Sequence, residues 1–128
     1  MKIWTSGCFD ILHRGHIELF RYAKSLGNEL ILGIDTDEKV KLDKGKDRPI
    51  NNLQDRMLML QSIKYIDKVI PFDTTKELRD TIKWYMPNII VMGTDWKGKE
   101  VIGEKYAEKL IFFERVGNYS TTNMIRKK

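Results

Sequence analysis

Both histidines of the chain fall in one stretch, Gly7-Cys8-Phe9-Asp10-Ile11-Leu12-His13-Arg14-Gly15-His16, which separates an apolar run from a helical pattern. Residues 2–5 predict a first β-strand, and the apolar spacing from about residue 16 predicts a helix that stops at Gly27. A strand, a glycine-containing loop and a helix in this order are typical of an α/β domain with a parallel sheet.

The same alternation continues along the chain. Further strands are predicted at residues 30–34, 69–71, 88–92 and 110–114. Further helices are predicted at residues 53–63 with Asn51 or Asn52 as cap, up to residue 85 with Thr75 as cap, and from Ser120 or Thr121. Residues 35–51 read as a long polar loop. We therefore expect one domain, residues 1–128, with a Rossmann-like doubly wound α/β fold of about five parallel strands and helices on both faces.

Composition limits the functional classes. A hydrophobic content of 41% is ordinary for a globular protein, and the apolar runs are too short to span a bilayer. Cys8 is the only cysteine, which excludes an internal disulfide and favours a reducing cytoplasm, and Asp10 interrupts any secretory signal. A net charge of +5 favours anionic partners without distinguishing nucleotides from nucleic acid.

Four loops are expected to meet at one edge of the sheet. In doubly wound sheets, ligands bind beyond the carboxyl ends of the strands, where the strand order reverses. The loops that follow the first, second, fourth and fifth strands span residues 7–16, 35–51, 93–99 and 115–122. These loops hold the residues of unusual character.

The stretch at residues 7–16 is suited to phosphate chemistry. A helix N-terminus carries a partial positive charge, Gly15 lets the backbone approach a ligand, and His13 and His16 could donate hydrogen bonds to phosphate oxygens. In a purely structural interpretation, His13 caps the helix or packs locally, and His16 lies on the surface. A zinc site made of Cys8, His13 and His16 would lack a fourth ligand at the usual spacing.

The His-x-Gly-His element resembles the signature of the cytidylyltransferase-like nucleotidyltransferases, and Tyr119-Ser120-Thr121-Thr122 resembles their second signature. The run Met92-Gly93-Thr94-Asp95-Trp96-Lys97-Gly98-Lys99 is similar to glycerol-3-phosphate cytidylyltransferases. By contrast, Lys44-Gly45-Lys46-Asp47-Arg48-Pro49-Ile50 and Glu100-Val101-Ile102-Gly103 are similar to the adenylyltransferase domain of bacterial ADP-heptose synthases.

The resemblance implies roles for individual residues. His13 and His16 would bind the triphosphate and stabilise the α-phosphorus as it becomes five-coordinate, without a covalent enzyme intermediate. Lys44 or Lys46 would fold over the phosphates, although a solvated basic loop is the alternative. Gly7, Cys8, Phe9 and Gly15 would belong to the nucleotide site.

Several residues have two open interpretations. Arg56 could contact a substrate phosphate or pair with Asp55 or Glu77, and Asp10 could bind substrate or magnesium or anchor the loop. Trp96 could stack on a base or belong to the core, and Asp95 could bind the base, the ribose or a metal. Magnesium is expected as a cofactor that arrives with the nucleoside triphosphate (NTP), so no protein ligand is assigned to it.

The second signature carries a departure. Glycerol-3-phosphate cytidylyltransferases usually have Arg-Thr-x-Gly-Ile before Ser-Thr-Thr, and here residues 116–119 differ, so that only Arg115 matches. Arg115 is still expected to be catalytic, and Ser120, Thr121 and Thr122 are expected to bind the nucleotide while at least one of them caps the last helix.

The sequence favours a nucleotidyltransferase that uses CTP and a polyol phosphate such as glycerol 3-phosphate and releases pyrophosphate. The alternative within the family is an ATP-dependent adenylyltransferase acting on a heptose 1-phosphate, and the alternative outside it is a nucleotide- or RNA-binding module without catalysis. A binding module gives no reason for both histidines to lie in one loop, so we expect a small phosphorylated acceptor and neither nucleic acid nor membrane as partner. The resemblance also implies a homodimer.

Overall fold

The computed structural model describes residues 1–114 of the chain. Within that range the strands are β1 (Lys2–Gly7), β2 (Glu29–Asp35), β3 (Lys68–Phe72), β4 (Ile89–Gly93) and β5 (Lys109–Phe113). The helices are α1 (Arg14–Ser25), α2 (Asp37–Lys44), α3 (Leu53–Gln61) and α4 (Thr75–Tyr85). The strands form one parallel sheet in the order β3-β2-β1-β4-β5, which confirms the predicted fold class.

The core lies on both faces of the sheet because successive side chains of a strand point to opposite sides. On one face, Ile3 and Leu32 pack in a cluster with Phe20 of α1 and Leu60 of α3. The other face carries a second cluster, formed by Trp4, Ile31, Phe72, Leu78, Ile82, Ile90, Met92 and Val101. Helices therefore cover both faces, and this is why the interior strand β2 is apolar and buried over residues 30–34.

Most element boundaries follow from capping and backbone chemistry. The Asn52 side chain accepts a hydrogen bond from the Asp55 amide at 2.9 Å and caps α3. Of the two predicted caps, Asn51 and Asn52, the second is therefore confirmed. Helix α4 is capped by Thr74 instead of Thr75, since its hydroxyl accepts from the Glu77 amide at 3.1 Å. Pro71 is accommodated because β3 is an edge strand, where a missing backbone donor is tolerated.

The prediction of a polar loop over residues 35–51 was incomplete, because helix α2 lies inside it. Thr36 caps this helix, Asp37 and Glu38 occupy its first turn, and Gly45 ends it with a φ of 104°. Val40 is its one buried residue, so the helix lacks the apolar stripe by which amphipathic helices are found in sequence.

The strand order reverses at β1, which lies between β2 and β4 in the sheet. The crevice expected in such folds therefore opens at the carboxyl ends of β1 and β4. The loops after β1, β2 and β4 meet at this edge as predicted, since residues from all three line one cleft. The fourth predicted loop, residues 115–122, lies outside the described residues.

Candidate nucleotide-binding cleft

A cleft of about 500 Å³ opens at the reversal point of the sheet. Its lining contains most of the predicted site residues within the described range: Gly7, Cys8, Phe9, His13, Gly15, His16, Lys44, Asp95 and Trp96. These residues come from segments that are far apart in sequence and are brought together by the parallel sheet. The volume is in the range of small-molecule sites, about 300–1,000 Å³.

The two histidines form one unit at the start of α1. The Gly15 amide donates to His13 Nδ1 at 3.1 Å, and the His13 amide donates to His16 Nδ1 at 3.3 Å. The two rings stack with their centroids 3.9 Å apart. Because each Nδ1 accepts a backbone hydrogen bond, the proton of each neutral ring lies on Nε2, which is then a donor. The capping role proposed as an alternative for His13 is therefore real, and it fixes the tautomer of a ring that lines the cleft.

Phe9 packs against the histidine unit through its contact with His16. Its backbone has a φ of 49°, an uncommon conformation for a residue with a side chain, and its ring is buried. The ring meets His16 edge-on at 5.5 Å between centroids and packs in the same way against Phe20 at 5.4 Å. Strained backbone of this kind persists where the surrounding packing enforces it, and here it sets the position of His16.

The two candidate lysines are separated by the structure. Both lysines are exposed, but Lys44, the last residue of α2, lines the cleft, whereas Lys46 is absent from the described lining. Lys44 also lowers the pKa of Cys8, although burial outweighs it and raises that pKa above the ordinary thiol value. A protonated thiol is a weak nucleophile, so Cys8 contributes to the wall of the cleft and not to covalent chemistry.

Asp95 and Trp96 follow β4 in a short 3-10 turn. Trp96 is 42% exposed, so it is not a core residue, and the ammonium group of Lys99 lies 5.9 Å from its ring centroid. Both residues line the cleft. A partly exposed indole beside a carboxylate offers a stacking surface and a hydrogen-bond acceptor to a bound nucleoside.

Asp10 is buried and engaged by the protein. Its carboxylate accepts from the amides of Ile50 and Asn51, each at 2.8 Å, and from Arg48 Nε at 2.9 Å. Burial alone would raise the pKa of Asp10, but the hydrogen bonds from Asn51, Ile50 and Arg48 outweigh it and hold the pKa below its ordinary value. This geometry corresponds to the loop-anchoring alternative, and Asp10 is not among the residues that line the cleft.

Arg56 is also buried, with 1% of its surface exposed. Its Nη1 donates to the carbonyls of Cys8 at 2.9 Å and Asp35 at 2.7 Å, and its Nε donates to the Asn51 carbonyl at 3.0 Å. Its Nη2 pairs with Asp37 Oδ1 at 2.7 Å. The expected partners Asp55 and Glu77 were therefore wrong, and the contact with a substrate phosphate does not fit a guanidinium that is enclosed by the protein.

Residues that the sequence analysis missed complete the cleft. Ser6 and Gly93 lie at the carboxyl ends of β1 and β4, and Leu19 and Phe113 supply apolar surface from α1 and β5. Position at the end of a parallel strand is the signal that could have identified Ser6 and Gly93. The predicted residues Arg115, Ser120, Thr121 and Thr122 lie outside the described residues.

In the described part of the chain, no group of three or more His, Cys, Asp or Glu side chains is arranged to hold a metal ion. This counts against the zinc site of Cys8, His13 and His16. None of the described helices has the length and apolar character needed to cross a membrane.

Comparison with known proteins places the chain in a family. The cytidylyltransferase-like family model matches residues 4–127. The bifunctional protein HldE of Helicobacter hepaticus is 42% identical over 125 residues, which cover 96% of this chain and 25% of that protein. The HldE of Aliarcobacter butzleri is 43% identical over 127 residues, covering 98% of this chain and 26% of that protein. The chain thus spans about a quarter of the length of these curated relatives.

Solved structures agree with this placement. A lipopolysaccharide core biosynthesis protein from Thermoplasma volcanium superposes with a TM-score of 0.71 at 27% identity, covering 94% of this chain and 98% of that one. A pantoate-beta-alanine ligase from Francisella tularensis shares the fold, with a TM-score of 0.63 at 14% identity over 97% of this chain and 67% of that one. Since the family match extends over nearly the whole chain and the histidine unit lines its cleft, the protein belongs to the cytidylyltransferase-like family of nucleotidyltransferases.

Proposed function

We propose that this chain transfers the adenylyl group of ATP to the phosphate of a sugar 1-phosphate, with a heptose 1-phosphate as the expected acceptor, and releases pyrophosphate. The observation that carries the proposal is 42–43% identity to HldE proteins over 96–98% of the chain. The Lys44–Ile50 and Glu100–Gly103 runs resemble the adenylyltransferase domain of ADP-heptose synthases, and the departure at residues 116–119 is unlike glycerol-3-phosphate cytidylyltransferases.

The first choice of the sequence analysis, CTP with glycerol 3-phosphate, is set aside on these grounds. It depended on the Asp95-Trp96-Lys97-Gly98-Lys99 run, a short segment of the chain. The HldE relatives match this chain over nearly the whole of its length, and this match favours the adenylyl alternative.

The chemistry is a displacement at the α-phosphorus of ATP. An oxygen of the acceptor phosphate supplies the electron pair for the new O–P bond, and the bond between the α-phosphorus and the bridging oxygen to the β-phosphate breaks. Pyrophosphate leaves with that electron pair. The acceptor phosphate is itself a competent nucleophile, so the protein contributes position and charge stabilisation.

Three elements of the cleft supply that stabilisation. The Nε2–H groups of His13 and His16 are donors for phosphate oxygens, and the amide end of α1 adds a partial positive charge. Lys44, which also lines the cleft, adds a full charge. Water would compete with the acceptor phosphate as nucleophile, and the apolar surfaces of Leu19 and Phe113 help to exclude it.

Magnesium is proposed as the cofactor that enters with ATP. The carboxylate that was its first candidate ligand, Asp10, is saturated by Arg48, Ile50 and Asn51, which suits a cation held mainly by phosphate oxygens and water. Its contribution would be to neutralise charge on the triphosphate.

The test is acceptor-dependent pyrophosphate release with ATP and CTP, each combined with heptose 1-phosphate and glycerol 3-phosphate. The ATP and heptose 1-phosphate pair should be the productive one, and loss of release in His16→Ala should connect the activity to the cleft. Release with CTP and glycerol 3-phosphate alone would refute the adenylyl proposal and restore the cytidylyl one.

The homodimer and the cytoplasmic location stay predictions. Light scattering of the purified chain tests the first, and fractionation of the host cell tests the second.

A further inference from the structure

A second cavity, of about 580 Å³, adjoins the nucleotide-binding cleft on the sheet face that α4 covers. The two cavities share Cys8, Lys44 and Trp96 in their walls. A ligand in the second cavity would therefore meet a ligand in the cleft at Lys44. This is the arrangement that a transfer between two bound substrates requires.

Asp35 is a half-buried carboxylate in the wall of this cavity. It ends β2, and its backbone carbonyl accepts from Arg56, but within residues 1–114 its carboxylate accepts no hydrogen bond and forms no ion pair. The nearby ammonium group of Lys39 is bound to Asp43 at 2.6 Å. Burial raises the pKa of Asp35 above its ordinary value, with Lys39 and Lys44 opposing the rise. The Asp35 oxygens are not fully enclosed by the protein, so a ligand that enters the cavity can donate hydrogen bonds to them.

The rest of the cavity suits a molecule with both apolar and hydroxyl faces. Phe72 and Leu78 give it an apolar floor together with Trp4, which has no exposed surface. The wall thus combines a carboxylate that can accept hydrogen bonds with aromatic and aliphatic surface. Sugars present hydroxyl donors and C–H faces that pack on aromatic rings.

Charge sets the orientation of such a ligand. Asp35, Asp43 and Glu100 line the second cavity, and Lys39 in the same wall is paired with Asp43. A phosphate placed among these three carboxylates would be repelled. Lys44 and the amide end of α1 lie toward the cleft and attract it. The phosphate is therefore directed to the shared wall and the uncharged part of the ligand to Asp35.

We propose that Asp35 is a specificity-determining residue, whose carboxylate accepts hydrogen bonds from the hydroxyl groups of a polyhydroxylated acceptor while the acceptor's phosphate lies beside Lys44. This assignment rests on the proposed function and extends it to the residue that selects the acceptor.

The experiment measures binding separately from turnover. Isothermal titration calorimetry is carried out with heptose 1-phosphate and with inorganic phosphate on the chain saturated with a non-hydrolysable ATP analogue. The variants are Asp35→Ala and Asp35→Asn, with Glu38→Ala as the matched control because Glu38 is an exposed carboxylate outside both cavities. Asp35→Ala should weaken heptose 1-phosphate binding about 10- to 100-fold, the range of a hydrogen bond to a charged group. Binding of inorganic phosphate and of the ATP analogue should not change.

Three results would overturn the assignment. One is unchanged heptose 1-phosphate binding in Asp35→Ala. The second is an equal loss for inorganic phosphate, and the third is a loss of affinity for the ATP analogue, which would place the ribose at Asp35. Binding of heptose 1-phosphate that depends on Asp35 supports the assignment even if pyrophosphate release is absent, and that absence would refute only the proposed reaction.

Discussion

Replacing Arg56 with methionine tests how the cleft is assembled. The guanidinium joins the loop after β1 at Cys8, the end of β2 at Asp35 and the segment before α3 at Asn51. Methionine keeps much of the side-chain volume but supplies no donor. If Arg56 is structural, the variant should lose stability first and activity as a consequence.

The size of the loss follows from the contacts. Three backbone carbonyls lose their donor to Arg56, at about 1 kcal/mol each, and the pair with Asp37 is lost as well. Because the Asp37 side chain is 31% exposed, water screens that pair and replaces part of it. A total of about 3–4 kcal/mol is a large share of the roughly 5–15 kcal/mol that stabilises a typical domain.

Urea unfolding followed by circular dichroism measures the effect. With a slope of about 2 kcal/mol per molar urea, the midpoint of Arg56→Met should fall by about 1.5–2 M. Arg21→Met is the control, because Arg21 is exposed and its ion pair within residues 1–114 is with its helix neighbour Glu18. The midpoint of this control should hardly move. An unchanged midpoint in Arg56→Met together with a raised KM for substrate would refute the structural role and restore the phosphate contact.

Three further predictions concern the cleft. Asp10→Asn should destabilise the fold by about 2–4 kcal/mol at pH 7. Because the folded-state pKa of Asp10 is lowered, the stabilisation by its ionised carboxylate exists above about pH 4 and is lost as the pH falls further. The urea midpoints of variant and parent should therefore converge in acid, and a gap that stays constant with pH would contradict the argument. His16→Ala should lower kcat for pyrophosphate release about 10²- to 10³-fold with helix content retained, and near-normal turnover would exclude His16 from the reaction. Lys44→Met should lower kcat about tenfold or more while Lys46→Met has a smaller effect, because only Lys44 lines the cleft, and the reverse order would show that the segment rearranges on binding.

The order and type of the elements could be predicted because each strand and most helices have a strong local pattern. The apolar run of β2 and the capping asparagine of α3 are examples. Helix α2 was missed because it buries only Val40, and Leu42 on the same helix is 84% exposed. Its signals were Thr36 as cap, acidic residues in the first turn and Gly45 at the end, which are weaker than periodicity.

The cleft lining could be predicted for a different reason. In a parallel sheet the ends of the strands meet at one edge, so residues that follow β1 and β4 lie together whatever the details of packing. The roles of Asp10 and Arg56 could not be predicted in this way. Charged side chains are usually exposed, and only the folded structure shows that these two are enclosed by backbone donors and acceptors.

The two buried charges explain why the cleft can keep its geometry without a ligand. The histidine unit lies at the start of α1 and Lys44 is the last residue of α2, so their relative position depends on how the loops after β1 and after α2 are held together. Asp10 binds residues 48–51 to the first loop, and Arg56 binds the same two regions from the opposite side. A nucleotidyltransferase depends on position more than on covalent chemistry, so residues that touch no substrate can contribute to the rate. A sequence motif identifies the side chains that face the ligand. The precision of this site also depends on Asp10 and Arg56, which hold the loops that carry those side chains.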